Sequence, residues 1–456
     1  MTQPETGLVK GVRLRSATGI VVASMIGAGI FTTTGFQAAA LGHPGYIFAL
    51  WIVGGILAFC GALCFAELGA AMPEAGAEYV YIRETYGAAF GFMTAFIALF
   101  AGFSAPIGAA LKGLVAYLGH FAPVLQDNPS ILGVVSLGDL VAIAIGWGLV
   151  LIHVRGIKFG LGFNDLVTFL KIAGIVAIIL GAFAFGSGDA AHLTTVAPIY
   201  GELGFADKMS AFATSLIFVT FCYLGWNGSA YLAAEMNDPQ RDLPRSLLIG
   251  TALVTLLYLG LNAVYFYGAG VEGLAGKVEV GLVAAQELFG DSGATIVTLV
   301  LCVSILASAS AMTAIGPRVY YAFGGDFPQL RALATTNRKT GAPTTALYLQ
   351  GIVTTIIILS GRIDQILQYT GLTLTLFSSL AVSCVIVLRI RRPEMTRPFK
   401  TWGYPFTPLL YLSVSLWTMI WAVRGRPVES MLSLATVVAG GIAFYVLSRR
   451  SRANNP

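Results

Sequence analysis

The chain is built almost entirely from apolar runs about twenty residues long. They begin near residues 17, 44, 87, 137, 164, 210, 246, 292, 343, 364, 406 and 428. Roughly 20 mainly apolar residues are what a helix needs to cross the hydrocarbon core of a bilayer. A segment in that core must satisfy its own backbone, so each run predicts a spanning helix. Composition excludes a large soluble globule, because 56% of the residues are hydrophobic and only 11% are charged, too few to cover a wetted surface. The longest polar stretches, near 187–209, 324–342 and 389–405, are no longer than a loop. The expectation is one all-α integral membrane domain over 1–456 with about twelve transmembrane helices.

Basic residues orient it. The amino terminus, "MTQPETGLVKGVRLRS", lacks the short apolar core and cleavage site of a signal peptide, and Lys10, Arg13 and Arg15 stand just before the first run, a cytoplasmic flank. With that orientation roughly 20 Lys and Arg fall on the inner side, against about 5 outside (Lys208, Lys277, Arg362, Arg424, Arg426), while Lys112 and Lys171 lie within runs. Both termini are expected in the cytoplasm, with the protein multi-pass in the cell's inner (plasma) membrane. The net charge of +5, including the "RIRRPEMTRPFK" loop, is then topology rather than a nucleic-acid surface.

All five cysteines (Cys60, Cys64, Cys222, Cys302, Cys384) fall inside apolar runs. No disulfide framework and no disulfide-linked ancillary subunit are expected. The four histidines are scattered over different helix ends, so neither a metal site, a cofactor nor a catalytic constellation is expected.

The first run is interrupted. In "VVASMIGAGIFTTTG", Gly27 and Gly29 flank one alanine and three threonines follow. Unwound backbone survives in a membrane only where it is buried in protein or lines a polar cavity. The interruption lies about ten residues, roughly 15 Å, beyond the basic flank, near the middle of the bilayer. Glycine lets the chain leave helical geometry and lets a ligand approach. The amides of the helix restarting near Ile30 suit a carboxylate. A close-packing face of small residues explains the same glycines. The sixth run is also interrupted, at Gly225, Trp226, Asn227, Gly228 and Ser229. Helices 1 and 6 are five apart and enter the membrane in opposite senses, as an inverted five-plus-five repeat requires. Freed amides of one half-helix and freed carbonyls of its neighbour then receive a carboxylate and an ammonium, the two groups an α-amino acid presents.

Four blocks, "SMIGAGIF", "CFAELGAAMPEAGAEYVYIRETYG", "YLGWNGSAYLAAEMNDPQRDLPRSL" and "IGPRVYYAFGGDFP", resemble, in order, those of the amino acid–polyamine–organocation transporters, in the L-type-like branch. The resemblance implies a leucine-transporter-like fold: helices 1–5 over about 16–186, helices 6–10 over about 210–388, and two further helices over about 406–448. It implies amino acid transport by alternating access, in a monomer or weak homodimer. Amides at Gly27, Ala28 and Gly29 would hold the substrate carboxylate, and carbonyls near Met25, Phe221 and Leu224 its ammonium. Ala28 replaces a hydroxyl residue of many relatives, and Leu224 stands where a smaller or acidic residue is common, which makes the pocket smaller. Phe221 would be an aromatic lid, and Asn227 a polar wall or a support for the unwound turn.

Lys171 lies about 10 Å into the fifth helix, where a charge needs a partner and points at the core. The alternative is snorkelling to the inner interface. In sodium-independent members of the resembled family such a lysine stands in for sodium at the broken first helix, and it can carry a coupled proton. Lys112 is expected near the outer headgroups. Glu235, and Glu67 likewise, read as an inner-gate ion pair or a cap. With no other acid expected deep in the membrane, small or medium neutral L-amino acids are favoured, by exchange or proton coupling, over a cationic amino acid or polyamine antiporter. A non-transporting receptor or a channel of the same fold is the remaining alternative.

Overall fold

A computed structural model describes residues 10–127, 129, 135–202, 204–337, 340–361, 363–425 and 427–453. Arg362 and Arg426 from the charge count lie outside the described residues. Eleven helices among these are long and apolar enough to cross a bilayer: Leu14–Leu41, Pro44–Ala71, Ala88–Leu118, Leu137–Val154, Gly162–Phe185, Phe205–Glu235, Pro239–Leu274, Val280–Asp326, Ile363–Arg391, Phe406–Gly425 and Pro427–Ser448. The run near 343 forms Thr344–Ser360, an apolar helix of 17 residues. At 1.5 Å per residue it is roughly 26 Å long, a little short of the ~30 Å core. Spans are numbered below in chain order with this helix as the ninth.

Local chemistry explains the irregularities. The seventh helix bends at Gly270 (φ 64°), close to its carboxyl end, and the eighth bends at Gly290 (φ 67°), just before the apolar run near 292. In the third span a π-turn over Ala98–Ser104 precedes Pro106, whose ring has no N–H to give and obstructs the preceding turn. Between the second and third spans lies a short helix, Glu78–Tyr86.

The first span is the most buried of these helices and the twelfth the least. The most apolar window of the first is 83% buried and that of the twelfth 17%. The first packs against the fifth, seventh and eighth, and the sixth against the second, tenth and eleventh. Leu166, Phe169, Leu180, Leu256, Ile296 and Leu434 point outward, as side chains that meet lipid do. The amino-terminal segment reaches the end of the sixth span, where the Gly11 and Val12 amides donate to the Glu235 carbonyl at 2.9 and 3.0 Å. Gln329, just beyond the eighth span, donates to the Leu447 carbonyl near the carboxyl end. This side is called the terminal face.

Candidate functional site

The first helix ends at Met25, Ile26 and Gly27 are extended, and a new helix runs from Ala28 to Leu41. The sixth helix ends at Tyr223 and resumes as a 3₁₀ segment, Gly228–Glu235. The two interruptions touch. Gly225 has φ +97°, a region that disfavours any side chain, and a Cβ there would lie 2.5 Å from the Ser24 Cβ and 2.8 Å from its backbone carbon. Gly27, by contrast, has φ −122°, open to any residue. A Cβ added to Gly27 would stand 2.8 Å from Ser308 Oγ, a hydroxyl free to rotate away, and one on Gly29 would stand 2.7 Å from Cys222 Sγ and 3.2 Å from the Phe221 ring. Small-residue packing and helix interruption therefore coincide at Gly27 and Gly29 rather than competing.

Two side chains complete the backbone there, and Asn227 braces the sixth-helix turn through side-chain partners. Lys171, fully buried on the fifth span, donates to the carbonyls of Ala23 (3.1 Å) and Ile26 (2.5 Å), replacing amide donors that the interruption removes. It points at the core and does not snorkel. Tyr258, on the seventh span, has its hydroxyl 2.5 Å from the Met25 carbonyl oxygen and 2.7 Å from that of Cys222, so one proton bridges the two broken helices. Asn227 donates to Glu78 Oε2 and to the Tyr231 hydroxyl, both at 3.1 Å. The Phe221 carbonyl accepts from the Leu224 amide at 3.0 Å, and both side chains are buried.

Sequence reasoning missed Tyr258 and Glu78. Tyr258 is one aromatic in an apolar run and carried no local signal. Glu78 sits in a polar connection that reads as exposed, yet the short helix turns it inward until it is buried. Burial pushes its carboxyl up to about 7, against the lowering effect of bonds to Tyr231 and Asn227. Glu78 is buried in protein without belonging to any span, since it lies in the connection between the second and third.

The terminal face is closed by ion pairs. Arg318 of the eighth span donates to Glu235 at 2.5 and 3.1 Å, and both residues are buried. Arg389 donates twice to Glu67, at 2.9 and 2.6 Å, which also accepts from the Thr401 amide. Asp326 bonds to both Arg83 and Tyr79. The opposite face holds a cavity of 1260 Å³ between the first, third, sixth and tenth spans, with Asp139, Asp207, Glu279 and Asp364 in its lining. Phe36 and Phe218, both in that lining, stack at 5.4 Å, one turn from Phe221. Lys112 also lines this cavity, bonded to Asp139 (2.6 Å) and the Ile358 carbonyl (2.9 Å). Asp139 is the third residue of the fourth span and Ile358 lies two residues before the end of the ninth, so Lys112 sits close to the span ends on this face.

The profile of the amino acid permease family matches residues 13–444. The chain is 26% identical to the large neutral amino acids transporter small subunit 2 of Mus musculus, over 96% of this chain and 81% of that protein. It is 25% identical to the serine/threonine exchanger SteT of Bacillus subtilis (strain 168), over 99% of both. It is 27% identical to the human b(0,+)-type amino acid transporter 1, over 98% and 88%. Two interrupted helices in contact within an all-helical membrane bundle, and a family match over nearly its whole length, place this chain in the amino acid permease family.

Proposed function

We propose that this permease moves amino acids across its membrane by alternating access, its cargo being small or medium neutral L-amino acids, carried without sodium by exchange or with a coupled proton. The observation that carries the reading is the junction of the interrupted helices, where Gly225 lies on Ser24 and Tyr258 spans the carbonyls of Met25 and Cys222. Amides at Gly27, Ala28 and Gly29 take the carboxylate, and the carbonyls of Met25, Phe221 and Leu224 take the ammonium. Met25 and Phe221 each accept one bond already and keep a second lone pair. Phe221 is the lid, Asn227 the polar wall, and Glu235 with Arg318 the gate. Lys171 occupies the place of a coupling cation.

The terminal face is cytoplasmic in the plasma membrane, and the two five-helix halves form the inverted repeat. The matched murine relative is named a small subunit. The protein acts as a monomer or weak homodimer; its five cysteines are buried, which supports the absence of a disulfide-linked subunit. A second reading, with cationic amino acids as cargo, draws on the acidic lining of the 1260 Å³ cavity and on the acid at Glu78.

Proteoliposomes test both. Saturable uptake of labelled L-serine or L-alanine, stimulated by internal amino acid, equal in sodium and choline and uninhibited by the methyl ester, is the expected result. Absence of saturable uptake overturns the transport reading, sodium stimulation overturns the role of Lys171, and stronger competition by arginine than by any neutral amino acid installs the second reading.

A further inference from the structure

Four carboxylates among the described residues are buried: Glu67, Glu78, Glu235 and Glu429. Glu67 faces Arg389 and Arg397, and Glu235 faces Arg318. Glu429 lies apart, in the twelfth span. Glu78 meets only the Asn227 amide and the Tyr231 hydroxyl, and no ion pair is formed by it among the described residues. Its position is strategic, because Asn227 is the last residue of the sixth-helix interruption and the 3₁₀ segment beyond it ends at Glu235 of the ion-paired gate. A cavity of about 30 Å³ lies against this cluster, lined by Ser24, Glu78, Gly225, Asn227 and Tyr231. The Ser24 hydroxyl is buried there with no partner among the described residues, where a water has room and a hydrogen bond to make.

We infer that Glu78 is a proton-binding group that couples closure of the terminal half to the pH of the water on that face. The inference rests on the alternating-access reading. Closing buries the carboxyl beside Asn227, and it takes one proton from that water as it closes. Opening returns the carboxyl to water and releases the same proton. The groups facing it titrate elsewhere: Tyr231, Tyr81 and Tyr411 are phenols, which ionise far above neutrality. Arg83 is engaged with Asp326, and Arg318 with Glu235. Glu74 is exposed and paired with Arg83.

The sign follows from where the carboxyl is neutral. In the closed state it titrates at about 7, and in water near the ordinary ~4.3 of a glutamic acid. The closed state therefore binds more protons between these values, and acid favours closure. From pH 8 to pH 5.5 the closed-to-open ratio rises on the order of 30-fold. Above about 8 the dependence vanishes, with the closed state carrying an uncompensated charge.

The test is energy transfer between dyes on cysteines placed at exposed Lys10 and Arg331 on the terminal face, in nanodiscs without substrate; the native cysteines are buried. In the wild type the closed fraction is expected to climb as pH falls, with its rise centred between 5 and 7. Glu78→Gln keeps an acceptor for Asn227 and is expected to hold the acid-like closed fraction at every pH. Glu78→Asp, which retains a carboxyl, is expected to keep the pH dependence. It guards against a Gln variant that fails to fold. A wild type that opens independently of pH, or a Gln variant that keeps the dependence, overturns the role of Glu78 alone. A wild type that never opens at any pH, with or without added L-serine, overturns alternating access and this inference with it.

Discussion

Lys171 and Tyr258 do the same work from opposite sides of the first helix. Each supplies a proton donor to carbonyls that helical continuation would have satisfied. A buried carbonyl stripped of its donor costs about 1–3 kcal/mol. Lys171→Met therefore abandons the oxygens of Ala23 and Ile26, and it is expected to lower transport more than substrate binding, because the interrupted turn loses its fixed geometry. Uptake in proteoliposomes set against scintillation-proximity binding checks it; a fully active variant rejects it. Tyr258→Phe removes one hydroxyl and leaves the ring packed on Trp51 and Tyr223. The fold should survive with a thermal midpoint lowered by a few degrees, while exchange slows about tenfold or more, as a loss of about 1.4 kcal/mol implies. Unchanged exchange would show that the bridge between the two helices is dispensable.

Among the elements, the interrupted sixth helix is the most exacting. Gly225 is held at φ +97° against Ser24, so Gly225→Ala meets both a backbone region that costs about 1–3 kcal/mol for a residue with a side chain and a collision with backbone that cannot rotate away. The expected outcome is a lower yield of folded protein and loss of L-serine binding, measured by size-exclusion profile and binding on the folded fraction. Gly27 is the control: its backbone angles are ordinary and its obstacle is one serine hydroxyl. Gly27→Ala should fold well and bind more weakly. Equal damage at both positions would contradict the distinction. The breaks could be read from glycine spacing because helix interruption leaves a local mark. The bends at Gly270 and Gly290 were not, because a lone glycine in an apolar run has the same appearance whether the helix bends or continues.

At the scale of the whole molecule, the asymmetry between faces defines the conformation. One face is sealed by Arg318 on Glu235 and Arg389 on Glu67, and the other opens into 1260 Å³ down to the stacked Phe36 and Phe218. Breaking a buried pair by removing one partner costs about 3–5 kcal/mol, since it strands the other charge. Arg318→Met should thus shift the population toward opening on the terminal face, by more than a hundredfold in the open-to-closed ratio, read by the same dye pair. Adding Glu235→Gln should recover much of the closed state, because no stranded charge remains. Failure of the second change to rescue the first would assign Arg318 another role.

Hydropathy and charge are properties of short stretches, so the membrane class, the number and order of apolar helices, and the two interrupted helices were already decided by the amino-acid sequence. The lysine at 171 was legible for the same reason, since a charge deep in an apolar run must find a partner. Which partner it finds is not local. Arg318 meets Glu235 across 83 residues, Asn227 meets Glu78 across 149, and Tyr258 meets Met25 across 233. Such pairings depend on how helices cross and rotate as their small residues close together, and no stretch of sequence carries those angles by itself. Tertiary packing alone turned Glu78 from a polar residue in a connection into a buried acid, because only the folded sixth helix brings Asn227 over the start of its short helix.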